Sequence, residues 1–364
     1  MSWNHFNPVR IEFGAGSFAR LAELDALAAG RVLLVTTEGF VRRGQAGEIV
    51  QALGTDRVAV YAGVTPNPEI DDLDAAVREW RQHAPVTILA LGGGSAIDAA
   101  KALAVALPSG LDDPLDALLR HGQVFSRSAT LPVVAIPTTS GTGSEVTPFA
   151  TVWDGREHRK HSIAGNDVYP RVAVVDPELT LSLPPQETLY TALDAVSHAL
   201  ESLWNRNRTP LSEAFSTRAL SGAVVALPAV LARPRDLEAR ASMQQASLLA
   251  GMAISQTRTA IAHSISYALT SHFGVPHGLA CSFTLSNIIT DYLDQYKESA
   301  ELESLMREVR QMLLDLDLDS HIQRYAGKSQ INALKGEMLQ PGRADNYIGR
   351  VDSLEKLIHP QVKL

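Results

Sequence analysis

What most narrows the fold of this chain is a rhythm in its first half. Short apolar runs that read as strands, Val9 to Phe13, Arg31 to Thr36, Val58 to Ala62, Val86 to Leu91 and Leu131 to Pro137, are separated by stretches with helical spacing such as Phe18 to Ala29 and Ile70 to Gln82. Strands that alternate with helices build a mostly parallel sheet covered on both faces, and such sheets bind ligands at the carboxyl ends of their strands. The rhythm stops near residue 180. A last strand-like run, Val172 to Val175, leads through Pro184-Pro185 into helical patterns at Gln186 to Leu203, Ser212 to Val225, Leu237 to Met252 and Ala300 to Leu314. The expectation is a Rossmann-like α/β domain over residues 1–180 and an all-helical domain over 181–364, with no clear element from Lys328 onward.

Composition removes several classes of function. The 364 residues exceed one ordinary core. A formal charge of −8 argues against nucleic acid or an anionic membrane as main partner, so an anion must be bound locally. Cys281 is the sole cysteine, which excludes an intrachain disulfide or a cysteine metal cluster and fits a reducing cytoplasm. The opening Met1-Ser-Trp-Asn-His-Phe-Asn-Pro lacks a signal pattern. The run Ala219 to Ala232 is broken by Pro228 and is shorter than the roughly 20 residues of a spanning helix. A soluble cytoplasmic protein is expected.

Three glycine-rich turns compete for a phosphate. Gly14-Ala-Gly16-Ser-Phe-Ala19 matches the dinucleotide fingerprint in text, with Glu38 near the expected distance. Gly92-Gly93-Gly94-Ser95 leaves an apolar strand and enters a helix, whose N-terminus offers unpaired N–H groups. Pro137-Thr-Thr-Ser-Gly141-Thr-Gly143-Ser144 is dense in hydroxyl donors. Further along, Asp194-Ala-Val-Ser-His198 places a carboxylate and an imidazole on one helix face. Two more imidazoles would complete a three-nitrogen, one-oxygen set that suits Fe or Zn better than Mg or Ca, and His263 and Pro276-His277-Gly278 follow downstream.

Together, Gly92-Gly93-Gly94-Ser95-x-x-Asp98-x-x-Lys101, the Thr138-to-Thr147 run, Asp194-Ala-x-Ser-His198-x-x-Glu201, His263 and His277-Gly278 closely resemble the iron-dependent (group III) alcohol dehydrogenases, in order over about residues 5–290. The resemblance implies a dehydroquinate synthase-like architecture whose two domains hold NAD(P) and one divalent metal, Fe2+ first and Zn2+ second, in a homo-oligomer, commonly a dimer. It implies metal ligation by Asp194, His198, His263 and His277. It places the pyrophosphate on Gly93, Gly94 and Ser95. Asn67, Thr138, Thr139, Thr142 and Lys160 would lie near the nicotinamide and its ribose, with Thr37, Asp98 and Ser144 also at the cofactor. In this family the Gly14 turn is not the cofactor loop. The implied chemistry is Lewis-acid polarisation of a carbonyl and hydride delivery from dihydronicotinamide.

Departures from the pattern are informative. Where many members carry a proton-relaying histidine four residues after the third ligand, this chain has Tyr267, either a poorer relay with an unperturbed pKa of about 10 or a packed wall. Thr257-Arg258-Thr259 replaces small or glycine residues, and a guanidinium there suits a phosphonate, phosphate or carboxylate, unless it pairs between helices. The opening Phe6-Asn-Pro-Val-Arg-Ile-x-Phe-Gly and the Thr147-to-Asp154 block also resemble the branch acting on phosphonoacetaldehyde and 2-hydroxyethylphosphonate. Thr37 stands where strictly NAD-using members often place an aspartate, so Arg42 or Arg43 could reach a 2′-phosphate, while Glu38 could still select NAD(H). Cys281 reads as an inert thiol, and His158, His161 and His272 as solvated or structural. Two other functions stay open: a metal- and NAD-dependent lyase or cyclase of the dehydroquinate-synthase type, and a non-redox phosphate-binding protein. The absence of a Gly-Lys-Ser/Thr loop disfavours a P-loop.

Overall fold

The structure is a computed structural model describing residues 2–157, 159–339 and 341–359. The chain divides into two compact units, one of Asn7–Thr139 with Ser144–Leu181, the other of the residues up to Phe6, Ser140–Gly143 and everything from Ser182.

The first unit is built on a six-stranded sheet of β1 (Arg10–Phe13), β2 (Val32–Val35), β3 (Val58–Tyr61), β4 (Thr87–Gly92), β5 (Val133–Pro137) and β8 (Val172–Val175), in the order β1-β8-β5-β4-β2-β3. Every pairing in it is parallel. Strands β2, β4, β5 and β8 are buried along their whole length, which is why they read as unbroken apolar runs rather than as alternation. The helices that cover the sheet include α1 (Glu38–Arg42), α2 (Gln45–Leu53), α3 (Ile70–Trp80), α4 (Gly94–Ala106) and α5 (Pro114–Leu119). From β2 the chain moves outward to β3, then returns to lay β4 on the other side of β2. This reversal puts the switch point, where a parallel sheet leaves a crevice, between the ends of β2 and β4.

One stretch differs from the sequence expectation, and another forms strands to which that expectation assigned no element. Phe18 to Ala29 forms two short 3-10 segments, Phe18–Glu23 and Asp25–Leu27, rather than one α-helix. Its buried residues Leu21, Leu24 and Leu27 recur every three positions, the period of a 3-10 helix. The Thr147-to-Asp154 block contributes β6 (Phe149–Asp154), which pairs antiparallel with β7 (Arg159–Ala164). Its alternating burial, with Ala150, Val152 and Asp154 inward, carried that signal.

The second unit is helical among the described residues: α6 (Pro185–Leu203), α7 (Pro210–Ala232), α8 (Leu237–Thr257), α9 (Ile261–Phe273), α10 (His277–Ala280), α11 (Leu285–Gln295), α12 (Ala300–Asp315) and short helices beyond, of which Lys328–Ala333, Lys335–Met338 and Leu354–Ile358 lie where the sequence shows no clear element. Pro185 at the first position of α6 fixes its start, and α6 is then buried continuously from Ala192 to Leu203. Helix α7 runs through Pro228 and, by length and composition alone, is apolar enough to cross a membrane, longer than the sequence run predicts. Its Leu220, Ala223, Leu227 and Val230 face pack into the helical core.

Candidate functional site

Helix α6 carries Asp194, His198 and Glu201 on one side, as four- and three-residue spacing requires. Asp194 Oδ1 lies 3.4 Å from His198 Nε2, 3.4 Å from His263 Nε2 and 3.7 Å from His277 Nε2. His263 is in the first turn of α9 and His277 opens α10. The approach of α10 depends on Gly278, because a Cβ there would fall 1.7 Å from the Tyr190 carbonyl oxygen of α6. The His198 and His263 rings stack at 4.9 Å, and His263 meets His277 edge-on at 5.1 Å. The side chains of Asp194, His198 and His263 are 3–6 % exposed against 34 % for His277, so the centre opens on the His277 side.

Glu201 is the residue that sequence reasoning quoted but left without a role. Its Oε2 accepts from His263 Nδ1 at 2.7 Å and from the Ala260 N–H at 2.9 Å, and its Oε1 accepts from the Ala262 and His263 N–H groups. This fixes the tautomer of His263, with Nδ1 protonated and the Nε2 lone pair turned toward Asp194. The only sequence signal was its place three residues after His198.

Burial pushes the Asp194 carboxyl up, but the three imidazoles more than reverse this and hold it far below its ordinary value. Burial lowers His198, whereas Glu201 and Asp194 overcome burial and raise His263. Whether the cluster fits a metal ion is answered by what it lacks. His263 Nε2, the ring nitrogen that faces Asp194, is buried without a hydrogen-bond partner, a state that ordinary polar interiors avoid. A lone pair so placed beside a carboxylate and two more imidazoles is a fit for a borderline divalent cation. Asp194, His263, His277 and Cys281 offer ligand atoms all within 4.8 Å of one another. Burial pushes the Cys281 thiol well above its usual range, and its Sγ donates to Asp194 Oδ1 at 3.4 Å, so it acts as a donor to a ligand rather than a thiolate.

A family model for iron-containing alcohol dehydrogenases matches residues 8–177, and the model of that family's C-terminal domain matches 188–357. The chain belongs to the iron-containing alcohol dehydrogenase family. It is 36% identical over 281 residues to the phosphonoacetaldehyde reductase of Streptomyces viridochromogenes, covering 74% of this chain and 70% of that protein. To the 1-propanol dehydrogenase of Citrobacter freundii it is 32% identical over 285 residues, covering 77% and 71%. The crystal structure of sulfoacetaldehyde reductase from Bifidobacterium kashiwanohense in complex with NAD+ superposes with a TM-score of 0.86 at 29% identity, covering 96% of this chain and 95% of that one. These relatives are oxidoreductases, and neither the lyase nor the phosphate-binding alternative is favoured.

Of the expected cofactor residues, Thr37 follows β2 and Gly93, Gly94 and Ser95 follow β4, on the two sides of the switch point. Asn67, in the left-handed region at φ 58°, donates its N–H to Ser95 Oγ at 3.3 Å. Thr138 donates its N–H to the Gly92 carbonyl, and Thr139 lies where a Cβ on Gly93 would come within 3.2 Å of it. Lys160 Nζ sits 5.7 Å over the Trp153 ring. Asp98 and Ser144 turn inward: Asp98 accepts from Ser144 Oγ at 2.6 Å and from the Thr151 N–H at 2.9 Å. Thr142 belongs with the helical unit, because Gly141 and Gly143 press against α6 and α8, where a Cβ would meet Thr191 O and Gly251 Cα at 2.5 Å each. Those two glycines therefore serve helix packing.

The Gly14 turn shows why its text misleads. The Phe18 N–H is bound by the Asp176 carboxylate at 2.9 Å, so an anion already occupies the place of a phosphate, and no α-helix starts there. Arg43 stacks on the Phe40 ring at 4.3 Å. His272 pairs with Glu337, and burial lowers His161. His158 lies outside the described residues.

Proposed function

We propose that this chain is a metal-dependent NAD(P)H aldehyde reductase acting on a small anionic aldehyde, with phosphonoacetaldehyde to 2-hydroxyethylphosphonate as the leading reaction. The observation that carries it is the convergence of three imidazole Nε2 atoms on Asp194 Oδ1. In this reading residues 1–180 bind the dinucleotide and 181–364 the metal, Fe2+ first and Zn2+ second, in a cytoplasmic dimer. When bound, the metal supplies Lewis-acid polarisation of the carbonyl and the reduced nicotinamide supplies hydride.

Asp194, His198, His263 and His277 hold the ion, and Glu201 keeps His263 aimed by taking its Nδ1 proton. Gly93, Gly94 and Ser95, at the start of α4, bind the pyrophosphate through backbone N–H groups. Asn67, Thr138, Thr139, Thr142 and Lys160 orient the nicotinamide half, while Asp98 and Ser144 brace them. Thr37 in place of an acid leaves both NADH and NADPH usable. Tyr267, one turn beyond His263 on α9, donates a proton to the product oxygen, and Arg258 holds the anionic end of the substrate.

A screen of aldehydes with NADH and NADPH, on protein stripped of metal and reloaded with Fe, Zn or Mn, tests this. Phosphonoacetaldehyde should be reduced only after reloading. Full activity in the stripped protein would refute it.

A further inference from the structure

The anion role proposed for Arg258 leaves a second guanidinium unaccounted for. Arg343 comes from the C-terminal stretch in which the sequence shows no clear element, yet its guanidinium lies 4.5 Å over the Tyr267 ring. Tyr267 is four residues from His263 on α9, so this cation faces the metal centre's own helix. Arg343 also lies in the field of both Glu201 and Arg258. Among the described residues neither arginine forms an ion pair with a carboxylate. Glu201, the acid whose charge reaches Arg343, is committed to His263 and three backbone N–H groups.

Both arginines are fixed to one frame. Asn205 Nδ2 donates to the Arg258 carbonyl at 3.1 Å, and Asn346 Nδ2 donates to the neighbouring Thr259 carbonyl at 2.9 Å. Asn346 in turn accepts from the Arg206 N–H at 2.8 Å, and the Ile348 N–H donates to the Trp204 carbonyl at 3.0 Å. The backbone of Arg258 adds an independent sign. It ends α8 at φ 64°, ψ 176°, a region occupied almost only by glycine. A glycine would relax that turn, so the arginine is held there against local strain, as groups that meet a ligand often are.

We propose that Arg343 and Arg258 are the two arms of a clamp for the tetrahedral oxyanion headgroup of the substrate, with the Tyr267 ring as its wall. This rests on the reading of the centre as an aldehyde reductase. Each guanidinium presents a fork of donors matched to two oxygens of such a group. Two cations match a headgroup close to two negative charges, and a phosphonate, like a phosphate monoester with a second pKa of about 6, approaches that at neutral pH while a sulfonate stops at one. The clamp therefore ranks phosphonoacetaldehyde above sulfoacetaldehyde, and both above propionaldehyde.

The test uses Arg343→Gln, Arg343→Lys and Arg258→Gly in the metal-loaded enzyme with those three aldehydes, together with calorimetric binding of methylphosphonate to the metal-free protein. Arg343→Gln should lower kcat/KM for phosphonoacetaldehyde about thirtyfold more than for propionaldehyde, mainly through KM, and weaken methylphosphonate binding by a similar factor. Arg343→Lys, which keeps charge but loses the fork, should fall between and serves if the glutamine variant does not fold. Arg258→Gly should show the same selectivity while raising the thermal midpoint. Equal loss across all three aldehydes for both Arg343 variants, with Arg258→Gly still selective, removes Arg343 from the clamp. Equal loss in every variant removes the clamp and leaves the reductase. Arginine-dependent methylphosphonate binding in a protein that reduces no aldehyde keeps the anion site and refutes the reductase.

Discussion

Two buried polar clusters, one in each unit, look alike by composition and differ in what they leave unpaired. In the α/β unit Lys101 Nζ donates to Ser144 Oγ at 3.0 Å and to the carbonyls of Thr147 and Phe149 at 2.9 Å each, and both oxygens of Asp98 are taken by the protein itself. In the helical unit Glu201 is saturated in the same manner, but the imidazole it positions, His263, ends in an unpaired Nε2 beside Asp194. A closed network stabilises a fold, and a network left open at one point, with every donor aimed there, marks a ligand. The contrast also sets Asp98 and Lys101, which brace β6 and the Ser144 segment against α4, apart from the open cluster around Asp194.

Substitutions in the two clusters should therefore fail differently. The largest effect is expected for His263→Ala, which should lose bound metal and lower turnover about a thousandfold or more while cofactor binding persists. Metal retained at full occupancy would break the contrast. Lys101→Met should instead destabilise the fold by about 3–5 kcal/mol, because it strands Asp98 and several carbonyls, without changing the metal content of the folded fraction. Denaturant titration beside elemental analysis reads both. Glu201→Gln sharpens the comparison from inside the metal cluster: His263 keeps a partner but loses the charge behind it, and metal affinity should fall about 10–100-fold. A last effect, confined to stability, concerns pH. Burial pushes Glu145 up to about 7 from an ordinary 4.5, so between those values the folded chain holds a proton that the unfolded chain has released. Stability contributed by Glu145 is thus present below pH 4.5 and lost as pH rises through 7. Glu145→Gln should remove that slope, about 3 kcal/mol, in denaturation series at both ends of the window.

Much of this was legible in the residues, for reasons that also explain what was not. Asp194 and His198 could be paired because a single helix fixes their spacing, and β2, β4, β5 and β8 because strands buried on both faces are written as solid apolar runs. His263 and His277 meet them only through the packing of α9 and α10, down to the missing Cβ of Gly278, so a family resemblance, not spacing, supplied them. Gly14 shows the opposite failure. Its motif is intact as text, but a three-residue leucine period and the Asp176 carboxylate, far off in sequence, turn the segment into something else. Glu201 was visible beside His198 and remained mute until its hydrogen bonds were seen. Arg343 lies in a stretch whose sequence shows no regular period, so nothing local pointed to Tyr267.

The most direct trial of the central claim is calorimetric titration of the stripped protein with Zn2+. The account predicts one ion per chain, with binding abolished in Asp194→Asn. No stoichiometric binding, or equal binding after that substitution, would contradict it.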